Sequence, residues 1–144
     1  MDTTLQFNSL REKIAYETEQ RKKRYAEFEA LLSVAHEKGL AAGQAINPRP
    51  MVVVESDLAG NHKGQSYYCS EGLCGFAYVT LTKGNSSFAL WAKKQGYFRK
   101  GYKSTTMSVS DFNQSVERKE AYAHAYAQVL RNAGIDCYAS SRLD

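Results

Sequence analysis

The first third of the chain constrains the fold most strongly, because it has the pattern of an uninterrupted helical segment. Between Leu5 and Ile46 there is no proline, and glycine occurs only at Gly39 and Gly43. Apolar residues recur at heptad spacing at both ends of the segment, and the basic run 21–24 interrupts them in the middle. A continuous helix of this length would span about 60 Å, which is longer than the core of one small domain.

Two arrangements of this helical segment remain open from the sequence. A single helix would leave an apolar seam beyond the domain's own core, and a second copy of the chain in a symmetric homodimer is the simplest cover for it. Two antiparallel helices, broken at the basic run 21–24, would instead cover each other. Because Pro48 and Pro50 end the helical region, the sequence predicts a helical arm over residues 1–46 and a body over 47–144.

The body begins with strand patterns. The β-branched run 51–54 predicts a buried strand, and a polar, glycine-bearing loop over 57–65 follows it. Residues 66–82 have the alternation of a β-hairpin. The residues on the inner face of its second strand are Ala77, Val79 and Leu81.

The later elements of the body complete an α+β pattern. In order, they are a helix capped by Ser86 or Ser87 and ended by Gly96, a strand over 105–112, a helix opened by Ser115 and closed by Gly134, and a strand over 135–139. The last helix carries an apolar stripe that includes Tyr122, Tyr126 and Leu130. We therefore expect a small, mostly antiparallel sheet of four or five strands with two helices packed on one face, in one compact domain.

Composition limits the class of protein. The 144 residues are 43% hydrophobic and 12% aromatic, which is typical of a globular domain. No apolar run approaches the roughly 18 residues that cross a bilayer, and the first residues lack the pattern of a signal peptide. Three cysteines fit reduced thiols better than a disulfide framework. These features predict a cytoplasmic protein with no membrane partner.

The charge distribution gives the clearest indication of function. No carboxylate occurs between Glu71 and Asp111, while lysines, arginines and aromatic residues alternate there. Cations that neutralise phosphates and rings that stack on bases are what single-stranded nucleic acid or a nucleotide requires. The predicted binding surface consists of Lys93, Lys94, Tyr97, Arg99, Lys100, Tyr102 and Lys103, with Arg118 and Arg142 as neighbours, and the rings of Trp91 and Phe98 are interleaved with it.

Two other readings of this basic segment stay open. Phe88 and Trp91 have helical spacing, which is also typical of core anchors, and Lys93 and Lys94 have the placement of a solvated helix end. A basic patch can also bind an acidic protein surface. The sequence therefore predicts an anionic partner without identifying it.

Patterns of catalysis and metal binding are weak. The sequence has no nucleophile elbow and no glycine-rich phosphate loop, and His124 has the setting of a surface histidine. Cys69 and Cys74 with His62 would supply three zinc ligands, but a structural zinc site needs four. We therefore expect free cysteines, no metal and no cofactor, and a protein that is not an enzyme.

Several short segments carry a resemblance to a known family. They are Met51-Val52-Val53, Cys74-Gly75-Phe76-Ala77-Tyr78-Val79, the helix from Phe88 to Lys94, Gly101-Tyr102, the segment Gln114 to Lys119 and the closing Ser141-Arg142-Leu143-Asp144. From about Arg24 onward, the chain resembles a family of small proteins encoded by tailed bacteriophages and prophages. The resemblance implies a phage origin and an early accessory role in the cytoplasm of the infected host, and it supplies no catalytic residues to carry over.

Together these observations predict a non-enzymatic, phage-encoded binding protein. It would counter a host defence system by binding nucleic acid, a nucleotide signal or a defence protein through its basic and aromatic surface. The alternative is an accessory subunit or small enzyme of phage nucleic-acid processing, which would need a metal-binding acidic cluster that the sequence does not show.

Overall fold

The computed structural model describes residues 6–56, 59–60, 62–101 and 104–144, and it confirms the predicted α+β class. Its elements, in chain order, are α1 (Leu10–Ala45), β1 (Met51–Ser56), β2 (His62–Cys69), β3 (Gly75–Leu81), α2 (Ser87–Gln95), β4 (Arg99–Lys100), β5 (Thr105–Ser108), α3 (Val116–Asn132) and β6 (Cys137–Leu143). Tyr102 and Lys103 of the predicted surface lie outside the described residues, as does much of the predicted loop at 57–61.

The arm is one helix rather than two. Ser9 caps its first turn by accepting a hydrogen bond from the Glu12 amide at 3.2 Å, and Glu12 places negative charge at the positive end of the helix dipole. The helix continues through the basic run 21–24, whose side chains are exposed to solvent. Because those charges stay hydrated, they do not break the helix.

The two halves of α1 have different surroundings. The second half packs on the body, where Leu32 and Ala35 are buried in the same core as the sheet. The first half stands in solvent, and its Leu10 side chain is 73% exposed. Within the described residues, the helical arm and the body therefore share one core, and it is the second half of α1 that enters it.

The main sheet has four antiparallel strands in the order β4-β5-β3-β6. Its inner face carries Ala77, Val79 and Leu81, which are all buried, as predicted. Helix α3 covers this face with Tyr122, Tyr126 and Leu130 of its apolar stripe. The predicted layer of helices on one side of an antiparallel sheet is thus confirmed.

Local signals at the helix ends are also confirmed. The Ser86 hydroxyl accepts from the Ala89 amide at 3.1 Å to open α2, and Gly96 ends it in the left-handed region with φ 84°. Ser115 opens α3 in the same way, accepting from the Arg118 amide at 3.4 Å. Gly134 follows α3 with φ 88°.

The predicted hairpin over 66–82 is wrong. Strand β2 pairs with β1 in a separate two-stranded sheet, with Val52 opposite Tyr68. Strand β3 has no free edge for β2, because β5 and β6 occupy both of its sides. The expectation that 51–54 is buried fails with it, since Val52 and Val54 are exposed on this hairpin.

The strand limits near the end of the chain also differ from expectation. Strand β5 stops at Ser108 rather than at residue 112, where Phe112 and Asn113 have positive φ angles that no strand adopts. Strand β6 continues to Leu143, because its backbone pairs with β3 as far as Gly75. Within the described ranges, none of the helices combines the length and the apolar character needed to cross a bilayer.

Candidate nucleic-acid interface

The face of the main sheet opposite the helices is largely open to solvent, although Thr80 at its centre is buried. Since successive side chains of a strand point to opposite faces, the register of the sheet fixes which residues share this one. It pairs Arg142 with Phe76, Ser140 with Tyr78, and Tyr138 with Thr80. We call this surface the open face, and it consists of Phe76, Tyr78, Thr80, Arg99, Thr106, Ser108, Tyr138, Ser140 and Arg142.

The open face combines three kinds of side chain. Its members are three aromatic rings, two arginines and four hydroxyl residues, and none of them is a carboxylate. Tyr138 is 52% exposed, and Phe76 and Tyr78 are half-buried between their neighbours. Arg99 lies on the strand at one edge of the sheet and Arg142 on the strand at the other. The face therefore places rings between two permanent positive charges.

Arg142 is held against the sheet. Its Cζ atom lies 5.1 Å from the centroid of the Phe76 ring, and the Lys119 Nζ atom lies 5.6 Å from the same centroid. Lys119 also donates a hydrogen bond to the Gly75 carbonyl at 3.4 Å. Among the described residues Arg142 has no ion-pair partner within 4.0 Å.

Two aromatic residues of the predicted surface are in the core. Trp91 is 4% exposed and Phe98 is 1% exposed, so the expectation that their rings stack on a ligand is wrong. They are buried because the second half of α1 lies across α2, with Phe28 in edge contact with Phe88 at 5.3 Å and Phe88 in turn against Phe98 at 6.1 Å. The reading of Phe88 and Trp91 as core anchors is the one confirmed.

Tyr97 lies at the surface but is engaged. Its ring centroid is 5.6 Å from that of Trp91, and its hydroxyl donates to the Glu29 carboxylate at 2.9 Å. This hydrogen bond, with some burial, raises the pKa of Tyr97. Tyr97 therefore belongs to the side of the sheet that α1 covers, next to a carboxylate.

The predicted cations are divided by the sheet. Arg99 and Arg142 belong to the open face, whereas Lys100 pairs with Thr105 and shares the opposite face. The Lys93 ammonium donates to the Gly84 carbonyl at 2.7 Å, also away from the open face.

Two further cations of the predicted surface have different settings. Lys94 is exposed in the last turn of α2. Arg118 forms an ion pair with Glu71 at 2.8 Å and donates to the Gly43 carbonyl at 3.1 Å. Its guanidinium therefore links α3 to the end of α1.

A groove of about 520 Å³ adjoins the open face at the edge of the sheet. It exists because β4 has only two residues, so the end of β5 has no neighbour on that side. Its lining includes Tyr78, Tyr97, Arg99, Lys100, Met107 and Ser110. The groove therefore brings two cations and two tyrosines together at one edge.

Sequence reasoning did not identify Phe76, Tyr78 and Tyr138 as site residues. The signal was present in part, because every second residue of 76–80 is aromatic or a threonine and every second residue of 138–142 is Tyr138, Ser140 or Arg142. Because side chains of a strand alternate between two faces, assigning Ala77 and Val79 to the inner face also assigns Phe76, Tyr78 and Thr80 to the outer face.

The cysteines make no metal cluster in the part of the chain that the structure describes. Cys69 and Cys74 are free thiols, and Cys137 is buried with its thiol donating to the Ala127 carbonyl at 3.4 Å. Burial raises the pKa of Cys137. No group of three or more His, Cys, Asp and Glu side chains converges within the described ranges. His124 is exposed on α3.

Comparison of the chain with protein-family models, with curated proteins and with solved structures finds no match. The class that the coordinates define is an α+β protein whose four-stranded antiparallel sheet is covered by helices on one face and open on the other. Its function is therefore inferred from the chemistry of the open face.

Proposed function

We propose that the protein is a non-enzymatic binding protein whose open face binds single-stranded nucleic acid. The observation that carries the proposal is the open face, which contains no carboxylate and on which Phe76 and Tyr78 lie between the edge strands of Arg99 and Arg142, with Tyr138 on the same strand as Arg142. Stacking of a base on an aromatic side chain contributes about 1–3 kcal/mol, and arginines add contacts to the phosphates.

The spacing of the rings suits an unpaired strand. Phe76 and Tyr78 are two residues apart on β3, which separates them by roughly 7 Å. Tyr138 is on the adjacent strand opposite Thr80, which places it diagonal to Tyr78 at roughly 8 Å. A four-stranded sheet of this kind can stack two or three splayed bases, whereas the bases of a duplex are stacked on one another and are not available. The hydroxyls of Thr106, Ser108 and Ser140 add hydrogen-bonding groups beside the rings.

The biological role that follows is to make the bound nucleic acid or nucleotide inaccessible to other proteins. If the protein has the phage origin that its sequence resemblance implies, binding of a strand or a nucleotide signal would withhold it from a host defence system. An accessory role in phage nucleic-acid processing would use the same face and is the second candidate. An acidic defence protein would contact the arginines but gain little from the rings.

We also propose that the chain forms a homodimer through the first half of α1. Leu10 and Ile14 lie one turn apart and are exposed, and the Phe7 ring contacts Tyr16 beside them at 5.3 Å. A second copy would cover this seam by the same heptad packing along its whole length.

Fluorescence anisotropy with a labelled oligonucleotide of about 12 nucleotides tests the binding proposal. Tyr138→Ala is expected to weaken binding about 5- to 100-fold, because it removes one stacking platform. Tyr68→Ala is the matched control, since Tyr68 is also exposed, at 69% against 52% for Tyr138, but belongs to the separate hairpin. Absence of strand binding at low salt, or equal effects of the two substitutions, would contradict the proposal.

A further inference from the structure

A second cavity lies on the helical side of the sheet, between α1, α3 and β5. Its volume is about 250 Å³, and its lining includes Glu29, Leu32, His36, Met107, Tyr122 and Tyr126. An engineered protein cavity of about 150 Å³ holds a benzene ring, so this one has room for a planar heteroaromatic ring. Tyr97 and Met107 line both this cavity and the groove beside Arg99, so the two spaces adjoin.

The cavity contains an unused buried hydroxyl. Tyr126 is 3% exposed, yet its hydroxyl has no hydrogen-bond partner within the described ranges. Every fully enclosed side-chain nitrogen or oxygen there has a partner, so the Tyr126 hydroxyl oxygen is not fully enclosed, and Tyr126 is one of the residues that line the cavity. Burial raises the pKa of Tyr126, and the nearby Tyr122 and Tyr97 raise it further, so the hydroxyl remains a protonated donor. A ligand in the cavity with a hydrogen-bond acceptor at its edge would give this hydroxyl a partner.

The other polar groups of the cavity are arranged in pairs. The Tyr122 hydroxyl and the His36 Nδ1 atom are 2.6 Å apart and satisfy each other. Glu29 accepts from Tyr97, but a carboxylate has two oxygens and accepts several donors, so it retains capacity. The site therefore offers a carboxylate acceptor and a hydroxyl to the edge of a ligand.

One part of the cavity wall is aromatic and apolar. The rings of Tyr122 and Tyr126 are stacked with centroids 5.8 Å apart and planes inclined at 27°. Met107 and Leu32 complete the lining, and a thioether makes favourable contacts with an aromatic ring. A planar ring with polar atoms only at its edge matches these walls.

We infer that this cavity binds a single nucleobase that carries an exocyclic amino group, with its phosphate directed toward Arg99 in the adjoining groove. The amino group would donate to Glu29, and a ring nitrogen or carbonyl would accept from Tyr126. Uracil lacks the amino donor and should bind least well. The inference rests on the proposed nucleic-acid binding, which it extends to a free nucleotide or the terminal base of a strand.

Methionine-methyl NMR of the full chain tests this inference. The chain has three methionines, of which Met107 lines the cavity and Met51 belongs to the separate hairpin as an internal control. Titration with the 5′-monophosphates of adenosine, cytidine, guanosine and uridine should shift the Met107 signal saturably, least with the uridine nucleotide. The Met51 signal should not move. A terminal base is distinguished from a free nucleotide by repeating the titration with a dinucleotide.

Matched variants test the assignment of the cavity. Tyr126→Phe removes the unpartnered hydroxyl and should weaken nucleotide binding about 5- to 10-fold without loss of folding. Ser33→Phe, at the exposed edge of the cavity, should abolish the Met107 shift, whereas Glu37→Gln, which is exposed on α1 outside the lining, should not change it.

The outcomes separate the two proposals. A Met107 signal that does not respond to any mononucleotide, while the oligonucleotide still binds through Tyr138, overturns the cavity inference alone. A Met107 response that Tyr126→Phe and Ser33→Phe leave unchanged also overturns it. A saturable Met107 response without binding of the oligonucleotide supports the cavity and contradicts the open face as a strand-binding surface.

Discussion

Tyr122 and Tyr126 are neighbours on α3 with different hydrogen-bonding states. Both are buried, and burial raises the pKa of each above the ordinary tyrosine value. The Tyr122 hydroxyl shares a hydrogen bond with His36, whereas the Tyr126 hydroxyl has no hydrogen-bond partner among the residues that the structure describes. The two residues therefore contribute differently to stability.

Replacement of each tyrosine by phenylalanine should separate these contributions. Tyr122→Phe should lower the free energy of unfolding by about 1 kcal/mol, because His36 loses its partner. Tyr126→Phe should leave the free energy of unfolding unchanged or raise it slightly, since no hydrogen bond is lost. Urea denaturation measures both, and a larger loss for Tyr126→Phe would contradict the assignment.

The same two hydroxyls predict how stability depends on alkaline pH. Because their pKa values are raised in the folded state, the unfolded chain releases these protons first as pH increases. The stability they provide is complete below about pH 10 and decreases above it. Tyrosinate absorbance followed together with circular dichroism should show that these tyrosines ionise only as the chain unfolds. Ionisation of all ten tyrosines in a native protein would contradict this.

At the scale of elements, local signals predicted more than non-local ones. Ser86, Ser115 and Gly96 marked helix ends because capping depends on adjacent residues alone. The pairing of β2 was not predictable, because it depends on which strand edges remain free after the sheet assembles. The prediction that the Trp91 ring stacks on a ligand was wrong for a similar reason, since the burial of Trp91 depends on α1, which is distant in sequence.

The contact between α1 and α3 gives a prediction at this scale. A Cβ atom added at Gly39 would lie 2.7 Å from the Tyr122 ring, and one at Gly43 would overlap the Phe112 ring. Alanine gains about 1 kcal/mol of helix propensity over glycine, but overpacking costs about 1–3 kcal/mol. Gly39→Ala should therefore destabilise the fold in thermal denaturation, while Gln44→Ala, exposed on the same helix, should be nearly neutral. A stabilised Gly39→Ala variant would contradict the close approach of the helices.

At the scale of the whole molecule, the proposed dimer depends on the exposed first half of α1. Analytical ultracentrifugation should give a mass twice the 16.1 kDa of one chain. Ile14→Glu should yield monomers, because it places a charge in the seam, whereas Ala15→Glu, on a different side of the helix, should not. A monomeric parent protein at high concentration would contradict the proposal.

The candidate site was only partly predictable at this scale. Arg99 and Arg142 were identified from charge and position, but they meet the three rings only because β4 and β6 form opposite edges of one sheet. Strand order is a property of the assembled molecule, so no local pattern joins residues 99, 138 and 142. Lys93 and Lys100, adjacent to Arg99 in the sequence pattern, belong to the other side of the sheet for the same reason.

The salt dependence of oligonucleotide binding tests the open face most directly. For single strands, the slope of log K against log salt concentration is about −0.7 for each phosphate neutralised. Removing both arginines with Arg99→Ala and Arg142→Ala should therefore reduce the magnitude of the slope by about 1.4, whereas Lys22→Ala with Lys23→Ala on the projecting half of α1 should leave it unchanged. An unaltered slope in the double arginine variant, or a loss of slope in the lysine variant instead, would contradict the account.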